Sequence, residues 1–412
     1  MIRFTRSFSN FQLFLLNLIL VAGYFILINF LEISVNEDLL FSTSDSMTYL
    51  NVTNWILGHS DFGSTRTRPI LYPFILLVFY KGFGTFGIWG LQFLCWLFSI
   101  NLVAIAITKW TGKQMYGFIG ASLMALNFTF LFLTFHALTE ILTVFLIAIL
   151  VYFISVTIDR VRDFSFFQGC LLILVLLAIL KPLFYLVVLF LLLVIFPVFY
   201  FRKRFLSTKN LIISMLILSP LILQITIMKT KYGSLNVSDI GSNTFRDYFY
   251  ADGLHIINNI SYENAVKLAQ QETPHERIKK ILAHKALFMG LYFVNLKSNI
   301  ASEPILINFS NPHKTLYRIT SIGNRVIFFL HLFFLIPVLL TLIRTYKRRQ
   351  YDYFISLVVL AILLYIILIT SGISFWQGDR LVLPGLPLWI PLYLLVFHYW
   401  FSRMSFKQKK MV

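Results

Sequence analysis

Thr65-Arg-Thr-Arg-Pro-Ile-Leu-Tyr-Pro-Phe-Ile-Leu-Leu-Val-Phe-Tyr-Lys-Gly-Phe-Gly84 is the stretch on which the fold turns. Its apolar part, residues 70–83, is closed by Pro69 on one side and by Gly82 and Gly84 on the other. A helix rises about 1.5 Å per residue and a bilayer core is about 30 Å thick, so a span needs about 20 apolar residues. Residues 70–83 are too few, and they read as an interfacial or re-entrant helix. Counting them as a span would invert every later loop and move the basic clusters to the opposite side of the membrane.

Outward from this stretch, the 412-residue chain is 58% hydrophobic and 13% charged. Soluble domains are about a quarter charged and under half apolar, so the composition points to an all-α integral membrane protein. Apolar runs near 12–31, 86–108, 115–133, 141–158, 166–181, 183–200, 210–228, 325–343, 354–371 and 383–402 predict about ten transmembrane helices. The run from Phe11 to Leu31 reads as the first span, not as a cleaved signal. With the N-terminus in the cytoplasm, the short loops on that side hold 18 of the 35 basic residues and three of the 17 acids (Asp159, Asp163 and Asp352). That asymmetry places both termini in the cytoplasm. It also accounts for the net charge of +18 without nucleic acid as a partner.

The same count puts residues 32–85, 134–140, 229–324 and 372–382 on the outer side. Three parts follow: an N-terminal membrane module over 1–228, an extracytoplasmic cap loop over 229–324 and a C-terminal three-helix segment over 325–412. The first outer loop should carry interfacial helices. Within the cap, Ser261-Tyr-Glu-Asn and Thr273-Pro-His-Glu predict two helix starts, and Asn311-Pro312 a turn. Cys95 and Cys170 lie inside apolar runs without metal-ligand spacing, and no disulfide or metal site is read from them.

The candidate site residues all fall on the outer side. Asp45 opens a stretch with apolar residues at 47, 50, 52, 55 and 56, the pattern of a helix lying on a membrane surface. The plain alternative is a carboxylate that only favours the positive end of that helix. Arg66 and Arg68 precede Pro69 and Pro73. Arginine there can take a phosphate by two parallel hydrogen bonds, or simply meet lipid headgroups. Glu140 ends the short turn His136-Ala-Leu-Thr-Glu140, where a carboxylate is costly unless paired or wet and so tends to line a cavity. His136 alone is a weaker signal. Lys181 stands before Pro182 and either snorkels or meets an anion. Arg380 has its neighbour Asp379 as an available local partner.

Taken together, Asp45, Arg68-Pro-Ile-Leu-Tyr-Pro73, Thr139-Glu140, Lys181-Pro182 and Arg380 followed by Leu-Pro-Gly-Leu-Pro resemble the polyprenyl-phosphate-sugar-dependent glycosyltransferases of the GT-C superfamily. The closest likeness is to the protein mannosyltransferase and lipid A aminoarabinose transferase group, over about 1–230 and 325–402. The resemblance implies a sugar donor on a polyprenyl phosphate (undecaprenyl phosphate in a bacterium), and an extracytoplasmic glycan, lipid or protein acceptor. It implies Asp45 as the general base and Glu140 as the group that orients the acceptor or a basic partner. Arg66 or Arg68, with Lys181 and Arg380, would hold the donor phosphate, and Tyr72 and His136 would contact substrate. Ser46 stands where many members carry a second acid, which leaves a divalent metal open as a cofactor. The compartment implied is the bacterial plasma membrane, with the site facing outward.

Two other classes compete. One is an outer-leaflet polysaccharide polymerase using lipid-pyrophosphate repeats, and the other is a flippase or transporter for a lipid-linked glycan. The ionisable residues gather at the outer ends of the spans and not at mid-membrane, where a transport pathway needs them. The acceptor would be chosen by residues 229–324, with Arg246, Tyr248, Tyr250, His255 and Lys279-Lys280 as candidate contacts.

Overall fold

A computed structural model describes residues 8–59, 65–157, 163–195, 197, 207–302, 314–346, 360, 362–369, 372–374 and 377–408. Among these residues every regular element is helical. Helix α1 is Asn10–Phe30, α2 is Ser44–Ile56, α3 is Leu71–Thr111 and α4 is Gln114–Ala125. Helices α5, Glu140–Thr157, α6, Phe164–Leu180, and α7, Thr208–Tyr232, follow. The cap holds α8, Ala251–Asn258, α9, Tyr262–Gln271, α10, Pro274–Ala283, and α11, Lys285–Ala301. Helices α12, Lys314–Tyr346, and α13, Leu386–Gln408, follow, and residues 362–369 between them are also helical.

The segment 70–83 is joined to the next helix, but not collinearly. A straight 41-residue α3 would be about 60 Å long, twice a bilayer core. It breaks at Gly84, where φ 66 and ψ −160 are backbone values open to glycine and closed to other residues. Residues 71–83 and 85–111 are therefore two helices sharing one glycine corner.

Among the described residues, five helices are long and apolar enough to cross a membrane: α1, α3, α5, α7 and residues 318–341 of α12. A sixth is formed if α4 and Phe128–Phe135, bent by 62° to each other, make one broken span. Helix α6 and Pro182–Leu193 are apolar but shorter, and α13 covers the run expected at 383–402. Half of the expected run at 354–371 is described, with residues 362–369 helical, and the other half lies outside the described residues, as do Arg3, Arg6, Arg160, Arg162, Arg202, Lys203, Arg204, Lys347, Arg348, Arg349, Lys409, Lys410 and Asn311-Pro312.

Packing carries a membrane signature. Helix α7 exposes Ile212, Met215, Leu216, Ile222 and Leu223 while burying Ser214 and Gln224. Helix α1 likewise exposes Phe11, Phe14, Ile19 and Ile26. Such faces suit lipid, not water. The core lies between α3 and α5, where Trp96, Ile100, Val103 and Ile107 meet Ile141, Val144, Ile147 and Val151. A second buried cluster of Phe249, Tyr250, Leu254, Ala265, Ala269 and Phe288 belongs to the cap. Both cap helix starts stand where the sequence places them. Ser261 caps α9, and Thr273 caps α10 through a capping box with Glu276.

Candidate active site

Each site residue is aimed by a local device of its own. Thr43 and Ser46 form a capping box at the start of α2, and Ser46 is fully buried in that role. The residue after Asp45 is thus committed to the helix start. Asp45 itself sits in the first turn, where the amide dipoles favour a carboxylate. Arg68 comes from the irregular chain before α3, whose start is fastened to α2 by Thr53 Oγ1 donating to the Pro73 carbonyl at 3.1 Å. Glu140 is the first residue of α5. Ala137 N donates to the Leu40 carbonyl at 2.8 Å, which ties the 136–139 turn to the chain just before α2. Lys181 ends α6 with extended backbone, as the following Pro182 demands. Arg380 lies in a 3-10 turn, Gly378–Leu381.

These side chains converge. Arg68 Nη2 reaches Asp45 Oδ1 at 2.5 Å, and Arg380 Nη2 reaches Asp45 Oδ2 at 2.7 Å. The Arg68 guanidinium lies over the Tyr49 ring, 4.8 Å from its centroid, and its Nε donates to Thr48 Oγ1 at 2.8 Å. Lys181 Nζ is 3.5 Å from Glu140 Oε1. His136 Nδ1 is 3.1 Å from Ser42 Oγ, and its buried Nε2 has no partner among the described residues. All but Thr48 line one cavity of about 1260 Å³, lined also by Leu183, Leu186, Tyr365, Ile369 and residues of the segment 236–248.

The electrostatics follow from the geometry. Burial alone would raise the Asp45 carboxyl, but Arg380 and Arg68 outweigh it and hold the group at about 2, below its usual 3.8. Burial pushes the His136 imidazole down to about 4, so it is neutral near neutral pH. Arg380, 8% exposed, still has an Nε with no partner among the described residues. The arrangement can hold an oxyanion between guanidiniums with a carboxylate beside it.

The structure brings Asp45, Arg68, His136, Glu140, Lys181 and Arg380 together. It does not bring Arg66 or Tyr72 to them. Arg66, its side chain 55% exposed, pairs with Asp239 at 2.8 Å and helps strap residues 65–67 to the segment after α7. Tyr72 is fully buried with its ring edge-to-face on Tyr49, 4.9 Å between centroids, and sits outside the cavity wall. Arg380 takes Asp45 as its acid and not its neighbour Asp379. Of the cap residues expected to meet an acceptor, Tyr248 lines the cavity, while Arg246 pairs with Asp247 and Lys280 with Glu272. Reading from the sequence missed Thr48 and Tyr49. They follow Asp45 by three and four residues, the spacing that shares a helix face. Among the described residues, no group of three His, Cys, Asp or Glu side chains is gathered closely enough to hold a metal. No family model matches the chain, and no curated protein or solved structure matches it.

Proposed function

We propose that this protein is a membrane glycosyltransferase that moves a sugar from a polyprenyl-phosphate donor to an extracytoplasmic acceptor, with inversion. The observation that carries the reading is the meeting of three cations, Arg68, Lys181 and Arg380, with two carboxylates, Asp45 and Glu140, in one cavity. They come from four separate parts of the chain, which packing of one helix pair would not require.

The chemistry uses these groups without remainder. An acceptor hydroxyl attacks the anomeric carbon from the face opposite the phosphate. The carbon–oxygen bond to the phosphate breaks, and its electron pair leaves on the phosphate oxygen. Asp45 takes the hydroxyl proton, a contribution of about 10²–10⁴-fold in such reactions. Arg68, Arg380 and Lys181 stabilise the charge that builds on the leaving phosphate. Glu140 holds Lys181 and orients the acceptor, and neutral His136 offers Nε2 to a sugar hydroxyl. The apolar wall at Leu183, Leu186 and Ile369 suits the donor's prenyl tail. In this reading the chain makes ten passes of a bacterial plasma membrane with both ends in the cytoplasm, and α2 and residues 71–83 lie at the outer interface.

The test is transfer from a panel of polyprenyl-monophosphate sugars, with and without a chelator, read as free polyprenyl phosphate by mass spectrometry. One donor should be consumed by the wild type and left intact by a folded Asp45→Asn variant. Full activity in that variant, or a folded wild type that consumes no monophosphate donor, overturns the reading.

A further inference from the structure

We infer that before the donor binds the Asp45 carboxylate stands in for its phosphate on Arg68 and Arg380, and that the arriving phosphate takes both arginines and thereby frees Asp45 to act as base. The inference rests on the glycosyltransferase reading and adds its order of events: donor first, acceptor second.

Geometry carries it. Two guanidiniums grip opposite oxygens of one small carboxylate, at 2.5 and 2.7 Å. The same pair of forks suits a tetrahedral oxyanion, and arginine binds phosphate through two parallel bonds. Arg380 uses one tine of its fork on Asp45 and leaves Nε without a partner among the described residues. A carboxylate therefore satisfies this site less fully than a phosphate would.

Charge points the same way. Inside the cavity Arg68, Arg380 and Lys181 face Asp45 and Glu140, leaving one net positive charge. Glu32 and Asp38 line the same cavity, but both are exposed to water, which screens them. A sugar phosphodiester carries one negative charge and brings the interior to neutrality. A pyrophosphate diester carries two and would leave it negative, so the cavity favours the monophosphate-linked donor.

Function follows from the exchange. A carboxylate clamped by two guanidiniums is a poor proton acceptor, and a catalytic base works best when its affinity for protons is nearer the working pH. Loss of the arginines to the donor raises the basicity of Asp45 at the moment a hydroxyl must be deprotonated. After transfer the phosphate becomes a monoester with a charge of about −1.5 to −2 near neutral pH, which would hold the arginines tightly. Asp45 then competes for them and promotes product release.

Binding of a short prenyl monophosphate without sugar, to the full chain in nanodiscs, tests the exchange. Asp45→Asn should bind it about tenfold more tightly than the wild type, because a competing anion next to the site is gone. Adding Arg68→Gln should abolish that gain. Measurable wild-type binding that is unchanged or weakened in Asp45→Asn overturns the exchange and leaves the transferase reading standing. No binding to either protein overturns both. A measurement on the wild type covers a variant that fails to fold: infrared difference spectra should show one carboxylate band shifting on addition of the prenyl phosphate. An unshifted spectrum with the phosphate bound also overturns the exchange.

Discussion

Asp45 is where the residue scale decides most, because its charge is both held by the fold and needed by the proposed chemistry. Its carboxyl falls from 3.8 to about 2 in the folded chain. A group whose folded value is lowered stabilises the fold above its free value and loses that contribution as pH falls toward the folded one. For Asp45 the contribution is about 2 kcal/mol, complete above about pH 5 and fading toward pH 2. The melting difference between wild type and Asp45→Asn in detergent should therefore be constant from pH 8 to 5 and shrink below, measured by thermal unfolding at matched ionic strength. A difference that does not shrink in acid would mean that the arginines do not hold the carboxylate. The sequence made this group legible as a candidate but not its partners. Arg380 is 335 positions away, and nothing local prefers it to the adjacent Asp379. Arg66 and Arg68 also look alike in the sequence, until Asp239, after α7, claims Arg66.

At the scale of elements, the site depends on short irregular pieces held by single contacts. Arg380 rides on the turn Gly378–Leu381, which is tied down by Asp379 N donating to the Ser302 carbonyl at 3.0 Å and Gln377 N donating to Asn299 Oδ1 at 3.1 Å. The turn opens at Gly378 with φ 63, in the left-handed region. An alanine there costs about 1–2 kcal/mol, while asparagine tolerates the conformation better. Gly378→Ala should lower the melting temperature and raise the donor KM as Arg380 shifts off Asp45, with Gly378→Asn between it and the wild type. Equal donor KM in all three would show that the turn does not position Arg380. Helix starts were legible because capping chemistry is local: Ser261 and Thr273 announce α9 and α10 within four residues. The corner at Gly84 was legible as a boundary for the same reason.

Across the whole molecule, successive site segments are joined by helices that leave the cavity and come back. Helices α3 and α4 separate Arg68 from His136, α5 and α6 separate Glu140 from Lys181, and Pro182–Leu193 with α7 separates Lys181 from the cavity segment 236–248. An even number of passes between site segments is what returns them to one side of a membrane. This supports counting α6 and Pro182–Leu193 as passes although each is short for a span. Their shortness fits a bilayer thinned locally, or helices whose ends are buried in protein instead of lipid. The proposed ten passes then place the cap outside and the α3–α4 turn inside. Lys267 on α9 and Lys113 in that turn are both exposed, and the native Cys95 and Cys170 are buried, so single cysteines report sidedness cleanly. In intact cells a membrane-impermeant maleimide should label Lys267→Cys, and should label Lys113→Cys only after the membrane is permeabilised. Labelling of Lys113→Cys in intact cells, with Lys267→Cys protected until permeabilisation, would invert the topology. The cavity would then open to the cytoplasm, where an extracytoplasmic acceptor cannot reach Asp45.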